Sequence, residues 1–438
     1  MKTLHSFLPL AAALLLVPAH AAEIWTLERA LLTAQENSPD ARIAQARLDG
    51  ARALIAQAQA AWMPQVMLSG RYTQTNSPML AFGSILNQRA FDFGLDFNHP
   101  GRIDNLNVTG TVAYNLSSGG RATAGRAAAR AGARAAEQDL RSARLRLGSG
   151  VVRAYFNIRK AREAVAAVEA GVQAFAAAAA NARLRFDAGQ LLKADLLSLE
   201  VQLAQTRETL AATRHGAALA ERTFLYMLGL ESAAGPVELA ADDASLARLV
   251  APATGDFTRR PELLALSERL QAAEALVAAA RGARRPTVNA FAGYEYNQGW
   301  QLDRHADAWL AGVSVDLHVF DGGLTAGKLR QAQADVAQAK ELLRQTTLGI
   351  GLEVEQARLA LADARERLAV SAQAVTQAEE SAALSRARHE QGALLTAELI
   401  GVEGRLIEAR MRRAVAAADE LTARADLRRA VGLPPLEP

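Results

Sequence analysis

The 438-residue sequence predicts a mainly α-helical protein with a membrane β-barrel portion, and three observations support this fold class. Aromatic residues make up only 5% of the chain while alanine is plentiful, which favours long, closely packed helices over a compact core of large side chains. None of the 13 prolines lies within 101–235 or 287–433, two windows that can hold unusually long helices. Four further segments alternate between apolar and polar residues, as strands do.

The N-terminus has the pattern of a secretory signal peptide. Lys2 precedes a short apolar run at 7–17, and the small residues Ala19 and Ala21 form a cleavage site. We therefore expect a signal peptide at 1–21 and an exported mature chain. The absence of cysteine excludes disulfides, thiolate metal sites and a lipidated N-terminal cysteine. A formal charge of +3 is too small and too dispersed to indicate nucleic-acid binding.

The two halves of the chain repeat one another. A shift of 203 residues superposes Gly189 on Gly392 and Glu200 on Glu403, and this register holds for more than a hundred residues. Each copy is predicted to contain a short helix, two strands and two long helices. The expected organisation is a signal peptide at 1–21, a first repeat at 22–230, a linker or equatorial segment at 231–258, a second repeat at 259–433 and a C-terminal tail at 434–438.

The long helices carry the seam of a coiled coil. Apolar residues over 147–186 recur at alternating steps of four and three, the 3.5-residue period of a left-handed coiled coil. A helix from about Thr123 to Asp187 is roughly 97 Å long at 1.5 Å per residue. The seam resumes after Gly189 and runs over 192–227, so we expect the next helix to fold back antiparallel. The second copy is predicted to form the same hairpin around Gly392.

The four alternating segments are about ten to twelve residues long, the length that a tilted strand needs to cross a membrane. They lie at 65–74, 106–116, 287–297 and 309–320. Taken one by one, they also suit half-buried strands of a soluble sheet. Export, the lack of a large core and aromatic residues near strand ends, such as Tyr72 and Trp309, favour the membrane.

Four strands cannot close a barrel, and an open sheet edge is not tolerated in lipid. We therefore expect a homotrimer, in which twelve strands form one barrel and twelve long helices form an α-barrel. Polar alternate residues would then face a wet lumen, and apolar residues would face lipid. The candidate lumen-facing residues are Thr109, Asn115, Asn289, Glu295, Ser314 and Asp316.

The predicted hairpin turns resemble those of a known family. The segments 186–197 and 389–399, together with the signal peptide, the duplicated plan and the Gly-Gly junctions between strand and helix, are similar to the outer-membrane efflux protein (TolC-like) family. The resemblance covers nearly all of the mature chain. Loop residues 82–84 and 86–89 also resemble the first extracellular loop of some members.

This resemblance implies a channel-tunnel in the cell outer membrane that extends into the periplasm. Such a channel passively conducts substrates that an inner-membrane pump exports through a periplasmic adaptor (membrane fusion) protein. The alternatives are a periplasmic coiled-coil scaffold or adaptor without a pore, and a type I protein-secretion conduit. The adaptor-facing residues carried over from the family are Phe186, Gly189, Asp195, Leu196, Gly392, Glu398 and Leu399, for which plain turn geometry and capping are the alternative explanation.

The sequence departs from the family in the charge of the periplasmic entrance. Family members often place acidic residues before the second turn, whereas here both helix ends are basic. The entrance residues are Arg183, Arg185, Arg386 and Arg388. A basic entrance favours anions, although arginines near helix C-termini also simply complement the helix dipole.

No enzymatic site is predicted. The segment 322–329 imitates a phosphate-binding loop, but Leu329 stands where a Ser or Thr would bind magnesium. The five histidines of the mature chain lack metal-ligand spacing, and no catalytic triad or carboxylate pair is recognisable. We therefore expect no catalytic residue, no metal site and no cofactor, and a passive tube whose selectivity comes largely from the pump.

Overall fold

The computed structural model describes residues 24–96, 98–231 and 237–437. The predicted signal peptide, 1–21, and part of the predicted linker lie outside the described residues. The chain divides into two compact units. The first, here the helical unit, comprises the described residues 24–41, 145–231, 237–255 and 355–437. The second, here the sheet unit, comprises Arg42–Arg144 and Asp256–Val354.

Each half of the chain contains two long strands followed by two long helices, and the first half has a further short helix between its strands. In chain order they are β1 (Ile24–Trp25), α1 (Leu27–Asn37), α2 (Pro39–Ala60), β2 (Gln65–Thr75), α3 (Pro78–Asn87), β3 (Ile103–Ser117), α4 (Arg121–Asp187), α5 (Lys193–Leu228), β4 (Glu238–Leu239), a 3-10 helix (Ala244–Arg248), α6 (Pro261–Gly282), β5 (Thr287–Gly299), β6 (Arg304–Asp316), α7 (Leu324–Glu390) and α8 (Thr396–Ala430). The helices α4 and α7 each contain 67 residues.

Two local predictions differ from the structure, the bounds of the last strand and the conformation of one loop. The last strand was expected at 309–320, but β6 starts at Arg304 and ends at Asp316. The reason is pairing, because Asp316 lies opposite Thr287, the first residue of β5, and nothing continues the ladder beyond it. Of the residues expected in a loop, 82–84 and 86–89, the first three together with Leu86 and Asn87 lie in the helix α3. Pro78 occupies its first turn, where the missing N–H costs nothing.

The predicted seam of α4 is buried. Within the helical unit, Val151, Ile158, Val168 and Phe175 are all fully buried, at the expected alternating spacing. An 18-residue window of α4 is long and apolar enough to cross a membrane by length and composition alone. One seam prediction is wrong: Leu192 is 72% exposed, because it caps α5 in an extended conformation instead of extending the helix.

A buried carboxylate connects separate segments of the helical unit through hydrogen bonds. Asp243 accepts hydrogen bonds from the Leu27 amide at 2.7 Å, the Tyr155 hydroxyl at 3.0 Å and the Ser245 amide at 3.0 Å. Burial raises the pKa of the Tyr155 hydroxyl, and the Asp243 charge adds to that shift. Burial also tends to raise the pKa of the Asp243 carboxyl. The hydrogen bonds that Asp243 accepts from Ser245, Leu27 and Tyr155 outweigh this effect and hold its pKa below the ordinary value. The contact ties the start of α1 to the middle of α4.

The sheet unit is built around one antiparallel sheet with the strand order β2-β3-β5-β6. The pairing is regular except for a bulge near Asn115. Among the described residues, β2 and β6 pair along one side only, so both are edge strands. Their outer backbone groups are therefore available to a further strand.

Candidate functional site

The register of the sheet brings the six predicted lumen-facing residues to one face. Thr109 lies opposite Glu295, and Asn289 lies opposite both Asn115 and Ser314. Directly opposed residues of an antiparallel pair point to the same side, and so do residues two apart on one strand. Asp316 therefore shares this side, which we call the polar face.

Side chains on the polar face satisfy one another. The Asn105 and Asn107 amide groups donate to the Asn297 side-chain oxygen at 2.9 and 3.0 Å. Near the other end of the strands, the Asn115 amide donates to the Asn289 side-chain oxygen at 3.0 Å. Such a face suits contact with water and would be costly to bury in lipid.

The opposite side of the sheet, which we call the apolar face, is exposed. It carries Leu68, Tyr72, Trp309, Val313 and Val315, each of which is more than half exposed to solvent. A contiguous apolar surface of this extent is unusual on a soluble monomer and marks contact with a membrane or another protein. The two faces therefore require different surroundings.

The two hairpin turns of the helical unit have the same backbone geometry. Gly189 and Gly392 adopt φ of +74° and +75°, the left-handed conformation that glycine takes without steric cost. The Gln190 amide donates to the Arg185 carbonyl, and the Ala393 amide donates to the Arg388 carbonyl, each at 2.8 Å. These bonds are those of a Schellman motif, which ends α4 and α7 cleanly.

Some predicted tip residues lie inside the hairpins. Leu196 and Leu399 are 3% and 2% exposed, and Phe186 is half-buried against the cluster around Phe175. Asp195 is half-buried and Glu398 is exposed. Each lies in the first turn of its helix, where the helix dipole stabilises a negative charge.

The tip surface instead presents two leucines that the sequence reasoning missed. Leu192 and Leu395 are 72% and 70% exposed, and each caps the second helix of its hairpin. They occupy equivalent positions, 203 residues apart, and this equivalence is the signal that could have revealed them.

Three of the four entrance arginines have partners within the chain. Arg183 pairs with Glu200 at 3.4 Å, and Arg386 makes a two-pronged ion pair with Glu403, one arm at 3.1 Å. Glu403 raises the pKa of the Arg386 guanidinium through this bond.

The other two arginines differ in what surrounds them. The Arg185 guanidinium donates to the His389 carbonyl at 3.0 Å. Arg388 is exposed and has no carboxylate within reach among the described residues. The positive charge at the tips is therefore partly neutralised. Within the described ranges, no cluster of three or more His, Asp or Glu side chains could hold a metal ion.

A sheet with one polar and one exposed apolar face, carried by a chain with long helical hairpins, is the construction of an outer-membrane channel subunit. The chain belongs to the outer membrane efflux protein family, whose model matches residues 30–230 and 257–433, well over half of its length. The resemblance inferred from the hairpin turns is thereby confirmed, and the protein resides in the outer membrane and extends into the periplasm.

Individual relatives agree with this assignment. Protein CyaE of Bordetella pertussis is 28% identical over 419 residues, covering 92% of this chain and 82% of that protein. Outer membrane efflux protein BepC of Brucella suis is 25% identical over 237 residues, half of each chain. Among solved structures, CusC has a TM-score of 0.80 at 18% identity, covering 95% of this chain and 96% of that one. The outer membrane protein VceC of Vibrio cholerae has a TM-score of 0.77 at 20% identity, covering 93% and 96%.

Proposed function

We propose that three copies of this chain close into a channel that passively conducts exported substrates across the outer membrane. The observation that carries the proposal is the four-stranded sheet with two open edges and an exposed apolar face. Two copies would give eight strands, whose interior is filled by side chains, whereas three give twelve and leave room for water. Closure also removes both edges from lipid.

In this assembly the polar face lines the lumen and the apolar face meets lipid. Thr109, Asn115, Asn289, Glu295, Ser314 and Asp316 are then wetted by the channel water. A pore-free periplasmic scaffold would leave Trp309, Val313 and Val315 facing water, which costs about 25 cal/mol for each Å² of apolar surface. The exposed apolar face therefore favours the channel over the scaffold.

The long helices would form the part of the channel that extends into the periplasm. The four long helices of each copy, twelve in the trimer, would form an α-barrel. The 203-residue offset between α4 and α7, and the two separate matches to the family model, support an internal duplication with repeats at 22–230 and 259–433. The segment 231–258 would then be an equatorial linker.

We further propose that the hairpin turns dock a periplasmic adaptor, through which an inner-membrane pump delivers substrate. Asp195 and Glu398 at the helix starts and the exposed Leu192 and Leu395 support this role, since they offer charge and apolar area together. Phe186, Leu196 and Leu399 would hold the turns in shape from inside, and Gly189 and Gly392 would set the backbone. Arg388 would be the main basic group of the entrance.

Planar-bilayer recording of the protein purified from outer membranes tests the proposal. We expect a stable trimer with ohmic conductance, and we expect Glu295→Lys to shift the reversal potential toward anion preference, because a lumen charge attracts counter-ions. The matched control is Asp49→Lys, the same charge change on the exposed surface of α2. Recovery of the protein as a water-soluble monomer without conductance would contradict the proposal.

A further inference from the structure

The short helix α3 lies on one end of the polar face. Three residues of this face at that end, Asn105, Asn297 and Ala306, are 7%, 1% and 5% exposed. By contrast, Thr109, Glu295 and the more distant polar-face residues keep partial exposure. The connection between β2 and β3, which contains α3, therefore covers the end of the face away from the starts of α4 and α7.

A buried glutamine fixes α3 in place. Gln88 follows the last turn of α3 and is fully buried. Its side-chain amide donates to the Asp104 carbonyl at 2.7 Å and to the Asn105 side-chain oxygen at 3.0 Å. Its side-chain oxygen lies against Gly299, where a Cβ would overlap it. Only glycine leaves room for this contact.

Two further contacts hold the helix. Ala81 and Ile85 are fully buried and pack with Ile103 at the start of β3. Arg89, with a φ of +55°, donates from its guanidinium to the Asp307 carbonyl of β6 at 3.1 Å. The helix is thus anchored at both β3 and β6 and is a fixed part of the sheet unit.

The side of α3 that points away from the sheet is apolar. At 3.6 residues per turn, positions 79, 83 and 86 lie opposite the buried positions 81, 85 and 88. Met79 is 80% exposed and Leu86 is 46% exposed. Gly83 between them has open space in place of a side chain, because a Cβ there would meet nothing within 4 Å.

We propose that α3 is a fixed, apolar constriction at the outer end of the channel, and that Met79, Gly83 and Leu86 set its width. This inference rests on the proposed function, in which the polar face lines the lumen. A ring of three such helices admits slender or apolar solutes and disfavours bulky polar ones, because polar solutes lose hydration in a narrow apolar passage. Gln88 is the positioning residue that holds the ring open at a defined diameter.

Cysteine modification during single-channel recording tests this proposal, and the chain has no native cysteine to interfere. A bulky water-soluble methanethiosulfonate reagent is applied to the Gly83→Cys channel. We expect conductance to fall in three discrete steps, one per copy. Gly83 is not in the left-handed region and has open space around it, so the variant should fold; Leu86→Cys is a second position on the same side of α3.

Two controls separate the possible failures. Thr109→Cys on the polar face should also respond, whereas Gly70→Cys on the apolar face, another glycine with open space, should not. A response of Thr109→Cys without any response of Gly83→Cys or Leu86→Cys would overturn the constriction and leave the channel intact. An unmodified protein without conductance, or a silent Thr109→Cys, would contradict the proposed function and the constriction with it.

Discussion

Equivalent ion pairs at the two hairpin tips differ in burial. Arg183 with Glu200 and Arg386 with Glu403 are related by the 203-residue shift, and each joins the two helices of its hairpin. The Glu200 side chain is 44% exposed, whereas that of Glu403 is only 4% exposed. An exposed pair contributes little because water screens it, but a buried carboxylate depends on its partner.

We therefore predict unequal effects of neutralising the two carboxylates. Glu403→Gln should lower the free energy of opening the second hairpin by about 1–3 kcal/mol, because a charged hydrogen bond is lost in a buried site. Glu200→Gln, the matched control, should cost less than about 1 kcal/mol. Native-state hydrogen exchange of the amides in 396–403 and 193–200 measures both, and equal effects would show that burial does not decide the strength of these pairs.

The partners of the entrance arginines could not be predicted from local pattern. Each carboxylate is 17 residues from its arginine and comes close only because the hairpin folds back. The 203-residue repeat does relate Glu200 to Glu403, so the sequence predicts that the two carboxylates occupy equivalent positions. The difference in burial depends on neighbouring helices, which helical periodicity does not reveal.

At the scale of elements, the long helices were predictable and the short helix α3 was not. A seam repeated over 147–186 leaves little alternative to a coiled coil, and its buried residues match the prediction. The helix α3 has only ten residues, and Gln88, Ile85 and Ile103 hold it through contacts that are distant in sequence. Short helices are marginal by themselves, so such contacts decide whether they form.

The exposed leucines of the turns give a prediction for adaptor docking. A chain with Leu192→Arg and Leu395→Arg should bind the adaptor at least tenfold more weakly. The two substitutions remove two apolar contacts, and a loss of about 1.4 kcal/mol of binding free energy already lowers the affinity tenfold. The trimer should still form. A periplasmic adaptor protein that binds the purified unmodified channel, immobilised and titrated with the variant channel, provides the measurement.

Leu219→Arg is the matched control for that experiment. Leu219 is 59% exposed on α5, the helix that Leu192 caps, but lies far along it from the turn. Unchanged affinity for the double variant, or an equal loss for Leu219→Arg, would exclude the turns as the specific docking surface.

At the scale of the whole molecule, the described part of one chain has a four-stranded sheet that is open at both edges. The apolar and polar faces of the sheet were predictable because alternation is a local property of strands. Two open edges were also predictable, because the sequence predicts only four strands and four strands cannot close a barrel. In the structure these edges are β2 and β6. The number of copies does not follow from any local pattern, because it depends on how strongly the sheet curves and where the edges meet.

Cross-linking between the edge strands tests trimer closure most directly. Ser69→Cys in β2 is combined, in turn, with Ala308→Cys, Leu310→Cys or Ser314→Cys in β6, all on the polar face. Within one chain the two edges are separated by three strand spacings, about 14 Å along the sheet, so a much shorter thiol cross-linker joins only different copies. Ser69→Cys with Val313→Cys places the thiols on opposite faces and is the control. We predict that one polar-face pair gives a covalent ladder ending at three chains in outer membranes, whereas uncross-linked chains throughout, or a ladder continuing past three, would contradict the closed trimer.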